Sequence, residues 1–135
     1  GLHRIDLKTG AVTPIGGMRA ALAGTDGLFR IPHEFAMRNA PPHPVALIAT
    51  QNGIAPARVV FLRLSPDCDE LEGHNVLASG HPGMDDLTLG AFGEGAIVFI
   101  ASSGWAGYDG EGKPVAGAPD PARLMLPPPP YGEYP

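Results

Sequence analysis

The sequence predicts an all-β protein built from β-propeller blades. Short apolar runs, alternating or continuous, recur along the 135 residues, with turn residues between them. The chain contains 19 glycines and 16 prolines, and most glycines lie between apolar runs, where they favour turns. Two runs, VALIATQ from Val45 and AIVFIASS from Ala96, are typical of strands buried on both faces. Their separation is close to one propeller unit of about 40–50 residues.

The sequence pattern of residues 2–31 predicts three strands. LHRIDL and VTPI form two of them around a turn at Gly10, which supplies the positive φ that such a turn needs. GLFRI is the third. Residues 32–44 then form a long connection, because their prolines exclude a central strand and leave at most one helical turn in HEFAMRNA.

The middle of the chain predicts a complete blade over residues 24–80. Residues 45–51 and 57–64 form its central pair around a turn at Asn52 and Gly53, and HNVLASG adds an outer strand. Residues 86–92 and 96–103 begin the next blade. The chain therefore holds about two blades of a partial six-bladed propeller. A small β-sandwich of about eight strands is the alternative.

We assign residues 1–118 to the blades and residues 119–135 to a proline-rich tail, predicted to be disordered. Its PPPPY run also suits a groove that binds polyproline helices. Closed propellers contain about four to eight blades, and the chain begins with Gly1 rather than Met. We therefore expect a segment cut from a longer ring. Missing blades or self-association would cover its apolar faces.

Composition restricts the possible partners. The net charge is −5 and the few Lys and Arg residues are scattered, which argues against nucleic-acid binding. No apolar run reaches the roughly 18 residues of a membrane span, and the given residues show no basic-then-apolar leader, so we expect a soluble chain of undetermined compartment. Cys68 is the single cysteine, which excludes an intrachain disulfide. The histidines match no zinc spacing.

The order of short motifs carries a family resemblance. TDGLF, VALIATQNG, ARVVFLRL, HPGMDDLTLG and AIVFIASSGW follow one another from Thr25 to Trp105, and the resemblance that they carry extends over roughly residues 2–108. This order resembles the C-terminal part of the gluconolactonase and senescence-marker-protein-30 type of six-bladed propeller. The resemblance implies metal-dependent hydrolysis of a lactone or small ester in the complete protein, with Ca²⁺ as the expected divalent cation. Paraoxonase-like arylesterases and strictosidine-synthase-like proteins share much of this pattern.

Asp26 is the main candidate for both a catalytic and a metal-binding role. It matches the Asp-Gly that opens a blade in the gluconolactonase-type family, where this Asp binds the central cation and takes part in catalysis. The alternative is an Asx-type turn or a strand cap, a common role of Asp-Gly. The family completes its metal site with a Glu from the first blade and an Asn from a middle blade, positions outside this chain. We therefore expect the chain alone to bind metal weakly and to be inactive.

Five further residues are weaker channel candidates. His81, Asp85 and Asp86 lie in GHPGMDDLTLG and form either a channel-facing cluster or a polar loop with a strand-capping Asp. Asn52 is interpreted as a left-handed turn residue rather than a ligand. Trp105 is interpreted as a packing residue rather than a substrate platform.

Two classes of function therefore stay open. The first is a metal-dependent lactonase or esterase. Ser103 follows a buried strand at the predicted channel rim, but no G-x-S-x-G elbow surrounds it, which argues against a serine nucleophile. The second class is a non-catalytic propeller scaffold that binds a small molecule or a protein on the same face.

Overall fold

The computed structural model describes residues 1–32, 45–93, 95–117 and 120–127. Within these ranges the chain is all-β, with nine strands and two short 3₁₀ helices at Arg19–Leu22 and Trp105–Gly107. The strands are β1 (His3–Ile5), β2 (Val12–Pro14), β3 (Thr25–Arg30), β4 (Val45–Gln51), β5 (Arg58–Leu64), β6 (Leu71–Ser79), β7 (Gly90–Gly93), β8 (Ala96–Ser102) and β9 (Ala122–Leu126).

The described strands form three antiparallel sheets. β1 pairs with β2, the central sheet has the order β3-β4-β5-β6, and the third sheet has the order β7-β8-β9. Every neighbour in a sheet is also the next strand along the chain, as in the blade of a propeller. The predicted all-β class is confirmed. The β-sandwich alternative would place the strands in two sheets, whereas three are present.

The central sheet corresponds to the predicted blade over residues 24–80. β4 and β5 run side by side, with Leu47 opposite Leu62 and Ile48 opposite Phe61. Alternate side chains of a strand point to opposite faces, and Leu62 and Ile48 are both fully buried. The sheet is therefore covered on both faces, as the continuous apolar sequence of these strands predicts.

One face of the central sheet packs on the third sheet. Ile48 and Phe61 from the central sheet share an apolar cluster with Ile97 and Phe99 from β8. Phe99 also meets Phe29 edge-on, with the ring centroids 6.2 Å apart, a favourable arrangement for an aromatic pair. Burial of each large apolar side chain contributes about 1.5–3 kcal/mol. This cluster is therefore the main contact between the two sheets.

The opposite face of the central sheet packs on the N-terminal part of the chain. Ile15, just after β2, and Leu22 of the first 3₁₀ helix lie against Val60 and Leu62 of β5. Backbone hydrogen bonds add to this contact, because Gly16 N–H donates to the Asp69 carbonyl at 2.7 Å. The N-terminal hairpin, the central sheet and the third sheet are thus stacked in that order.

Three predicted boundaries need correction. The outer strand predicted to begin at His74 begins at Leu71 instead. The strand predicted over residues 86–92 begins only at Gly90, because the preceding residues make individual backbone bonds to β8, such as Thr88 N–H to Ile100 O at 3.0 Å. The predicted disordered tail contains β9, which pairs with β8. Its Leu124 and Leu126 pack against the apolar cluster, and this alternation outweighs the flanking prolines. HEFAMRNA, His33, His43 and the PPPPY run lie outside the described residues.

The turn between β1 and β2 gives the first testable prediction. Thr9 and Lys8 backbone N–H groups donate to Asp6 Oδ1 at 3.0 and 2.8 Å. These bonds, that of Thr9 first, lower the pKa of Asp6 below its ordinary value of 3.8. A lowered folded-state pKa adds stability that is present above pH 3.8 and is lost as the pH falls through the folded pKa.

Carboxyl ¹³C NMR should therefore show Asp6 titrating below pH 3.8 in the folded protein. Asp69 should show the same direction, because the Ser65 hydroxyl donates to its carboxylate at 2.5 Å and lowers its pKa. A titration midpoint for Asp6 at or above 3.8 would show that the turn does not hold these hydrogen bonds in solution.

Candidate functional site

Asp26 lies at a β-bulge at the start of the central sheet. Thr25 pairs with Gln51 and Gly27 pairs with Thr50, so the register shifts across Asp26. A bulge redirects the side chain of its extra residue, and Asp26 is exposed whereas Gly27 is buried. Asp26 therefore belongs to a strand, and the interpretation of Asp-Gly as a turn is wrong.

Asn52, the first residue after β4, contacts Asp26. Its Nδ2 donates to Asp26 Oδ2 at 3.4 Å, and both side chains are exposed. Among the described residues other than glycine, positive φ occurs at Cys68, so the predicted left-handed conformation of Asn52 is wrong. Asn52 instead follows directly after β4 and places its amide beside the Asp26 carboxylate. A rotation of this amide would place Oδ1 beside Asp26 in place of Nδ2.

A buried polar network holds the strands on which this pair lies. Gln51 is fully buried, and its Nε2 donates to Ala21 O at 2.7 Å and to Thr25 Oγ1 at 3.3 Å. Arg58 Nε donates to Gln51 Oε1 at 2.6 Å. Thr25 Oγ1 in turn donates to Leu22 O at 3.2 Å. A satisfied buried network rigidifies its surroundings, so the residues on either side of the Asp26–Asn52 pair are fixed.

Gly27 allows β3 to approach β4 closely beneath Asp26. A Cβ atom at Gly27 would collide with Thr50 Oγ1. Thr50 is fully buried, and its hydroxyl has no hydrogen-bond partner in the part of the chain that the structure describes. The glycine of the Asp-Gly motif is thus required by packing against β4, because it permits a close backbone approach that a larger residue would prevent.

A second contact between a carboxylate and a neutral polar side chain lies beside the third sheet. The Ser103 hydroxyl, directly after β8, donates to Asp86 Oδ2. The pair is similar to that of Asp26 and Asn52 in that a carboxylate contacts a polar side chain just after the second strand of its sheet, but Asp86 precedes β7 whereas Asp26 lies within β3. His81 and Asp85 are exposed, and within the described ranges no hydrogen bond or ion pair joins His81 to Asp85 or Asp86. The predicted loop is therefore present, with Asp86 held by Ser103.

Trp105 does not pack into the core. Its side chain is 76% exposed, so the interpretation of Trp105 as a packing residue is wrong. It lines an open cleft of about 620 Å³ together with five residues of the same turn. These are Ser103, Tyr108, Asp109, Gly110 and Gly112.

The donors around Asp26 fit a hard divalent cation in kind but not in number. Carboxylate and amide oxygens are the ligands that Ca²⁺ prefers, and it takes six to eight of them. Asp26 and Asn52 supply at most three side-chain oxygens. In the described part of the chain, no group of three or more His, Cys, Asp or Glu side chains is placed to hold a metal ion. Further ligands would have to come from other residues or from water.

No family model, curated protein or solved structure matches this chain. Across the residues that the structure describes, no helix combines the length and the apolar character needed to cross a bilayer.

Three residues of the site were missed or underrated in the sequence. Gln51 and Arg58 lie opposite each other at the ends of β4 and β5. Two polar residues at the turn end of an otherwise apolar hairpin indicate such a cross-strand hydrogen bond. Ser103 was placed at a rim by its position after a buried strand, but nothing local indicates its contact with Asp86, 17 residues earlier.

Proposed function

We propose that the chain supplies one part of a divalent-cation-dependent hydrolase site in a gluconolactonase-like β-propeller, acting on a lactone or small ester. The observation that carries the proposal is the contact between Asp26 and Asn52 at the bulged start of the central sheet. Two exposed oxygen-bearing side chains, held by a buried network, are what one side of such a site requires.

The chemistry assigned to this chain is ligand binding and proton transfer. A divalent cation held here would supply polarisation of the ester carbonyl. Asp26 would hold it through one carboxylate oxygen, and its second oxygen would accept a proton from the attacking water or orient that water. Asn52 orients Asp26 and offers its own amide oxygen. The Gln51–Arg58 network keeps β3 and β4 in place, so that the carboxylate does not have to be positioned during the reaction.

We also propose that a further antiparallel sheet covers the outer face of the third sheet. We define this outer face by Leu89, Val98, Ile100 and Met125, which lie opposite the buried Ile97, Phe99 and Ala101. Leu89 and Met125 are 58% and 60% exposed. The central sheet has both apolar faces covered, one by the third sheet and one by the N-terminal part of the chain. By analogy, we propose that a neighbouring sheet covers the apolar outer face of the third sheet.

Cation binding by the chain itself tests the site. We expect Ca²⁺ titration, followed by ¹H–¹⁵N NMR, to shift the amides around Asp26 and Asn52 with a dissociation constant in the millimolar range, because few ligands are present. Asp26→Asn should abolish these shifts, since it removes the charged ligand and keeps the size of the side chain.

Asp67→Asn is the matched control, because Asp67 is an exposed carboxylate in the turn between β5 and β6. It should leave the shifts at Asp26 unchanged. Shifts that persist in Asp26→Asn, or that spread evenly over all exposed carboxylates, would contradict the metal site and favour the scaffold. Hydrolysis of simple lactones by a ring containing this chain is the corresponding activity assay.

A further inference from the structure

The turn that follows β8 exposes two aromatic side chains on one cleft. Trp105 is 76% exposed and Tyr108 is 55% exposed, and both line the cleft of about 620 Å³. Aromatic side chains of this size bury most of their surface in folded proteins unless they serve a contact. Two of them on one cleft therefore point to a ligand.

Hydrogen bonds hold this turn in a defined shape. Gly104 adopts φ 73° at the start of the second 3₁₀ helix, a left-handed conformation suited to glycine. The turn is closed by Val115 N–H, which donates to Gly107 O at 2.7 Å, and by Tyr108 N–H, which donates to Trp105 O at 3.1 Å. The aromatic residues therefore project from an ordered backbone, which lowers the entropy cost of binding a ligand.

Two polar side chains of the cleft, Ser103 and Asp109, act as hydrogen-bond acceptors. The Ser103 hydroxyl already donates its proton to Asp86, so its remaining capacity is to accept, as it does from Trp105 N–H at 3.2 Å. Asp109 Oδ1 accepts from the backbone N–H groups of Glu111 and Lys113, both at 2.9 Å, which leaves its second oxygen available.

The charged group among the described lining residues of this cleft is the Asp109 carboxylate. None of its described lining residues is a cation, and Lys113 of the same turn pairs with Glu111 at 2.7 Å. Arg123 lines a second cleft of about 520 Å³ that also touches Trp105. The first cleft thus combines aromatic faces, acceptors and one carboxylate, with no Lys or Arg among its described lining residues.

We propose that this cleft binds an organic cation, an ammonium group carried on a flat or apolar body. The ammonium is attracted to the aromatic faces of Trp105 and Tyr108 and to the Asp109 carboxylate, while the apolar body covers the exposed rings. This site is separate from the Asp26–Asn52 pair and does not depend on ester hydrolysis.

Intrinsic fluorescence tests the proposal directly, because Trp105 is the one tryptophan in the sequence. Benzyltrimethylammonium should change the Trp105 emission saturably, with a dissociation constant in the millimolar range, since an exposed cation–aromatic contact is modest. Benzyl alcohol, the neutral analogue, and glucose should produce no saturable change at the same concentrations. Added salt should weaken the binding of the cation.

Two variants separate the charge from the ring. Asp109→Asn keeps an oxygen acceptor for the turn and removes the charge, and it should weaken binding about three-fold, as for an exposed charge contact. Tyr108→Ala should weaken it further, whereas Asp67→Asn should have no effect. Equal responses to the cation and to benzyl alcohol, a response to glucose alone, or unchanged binding in both cleft variants would overturn the proposal. Circular dichroism melting curves confirm that each variant is folded.

Discussion

Ile97→Ala is expected to lower the free energy of unfolding by about 2–5 kcal/mol. Ile97 is 1% exposed and lies in the apolar cluster between the central and third sheets, so truncation leaves a cavity at the main contact between them. A domain of this size has a total stability of about 5–15 kcal/mol. The variant therefore loses a large part of its stability, which urea unfolding followed by circular dichroism will measure.

Ile100→Ala provides a matched control, because it removes the same atoms from the same strand. Ile100 is 42% exposed on the outer face of the third sheet, and we expect it to cost less than about 1 kcal/mol at low protein concentration. Similar losses in the two variants would mean that the third sheet does not pack on the central sheet as described. The contrast thus tests the stacking of sheets and not only the burial of one side chain.

The strands that the sequence predicted well are those whose pattern is dictated by burial. VALIATQ coincides with β4, and the blade over residues 24–80 coincides with the central sheet. A strand buried on both faces must be apolar throughout, which leaves an unambiguous pattern. β9 was missed, because its alternation of exposed and half-buried residues, Arg123 and Leu124 for example, is weak and is flanked by prolines.

The offset between the two buried runs shows a limit of sequence periodicity. Aligning VALIATQ with AIVFIASS places Ile48 and Phe99 in equivalent positions, yet these side chains belong to the same cluster between the sheets. Ile48 of the central sheet therefore points toward the third sheet, whereas Phe99 of the third sheet points back toward the central sheet. Because side chains alternate along a strand, a difference of one residue inverts the face, and apolar runs without alternation cannot reveal it.

The sequence identified Asp26 as a candidate site residue but did not predict its contact with Asn52. Asp26 was identified through its Asp-Gly motif, but its contact with Asn52 joins residues 26 positions apart. That contact depends on the bulge at Asp26, which shifts the register of β3 against β4. No local pattern in TDGLF specifies a bulge, so Asn52 was interpreted from its Asn-Gly sequence alone, as a turn residue.

The second large effect concerns association through the outer face of the third sheet. In a solution of the isolated chain, the sheet available to cover Leu89, Ile100 and Met125 is the same face of a second copy, and a two-fold arrangement makes that contact self-complementary. We expect the chain to elute larger than a monomer, with a fraction that depends on concentration. The double variant Leu89→Asp with Met125→Asp should weaken association at least 100-fold, about 2.7 kcal/mol, because it places two like charges in a contact that is apolar at these positions.

The control for this prediction is Val115→Asp, which adds a charge at a residue that is 47% exposed in the turn after β8. It should associate like the parent chain in sedimentation velocity runs. A parent chain that stays monomeric at high concentration, with a sharp melting transition, would refute the need for a covering sheet. Association that persists in the double variant would instead assign it to another apolar surface, of which the N-terminal hairpin, with Leu7 95% exposed, is the next to test.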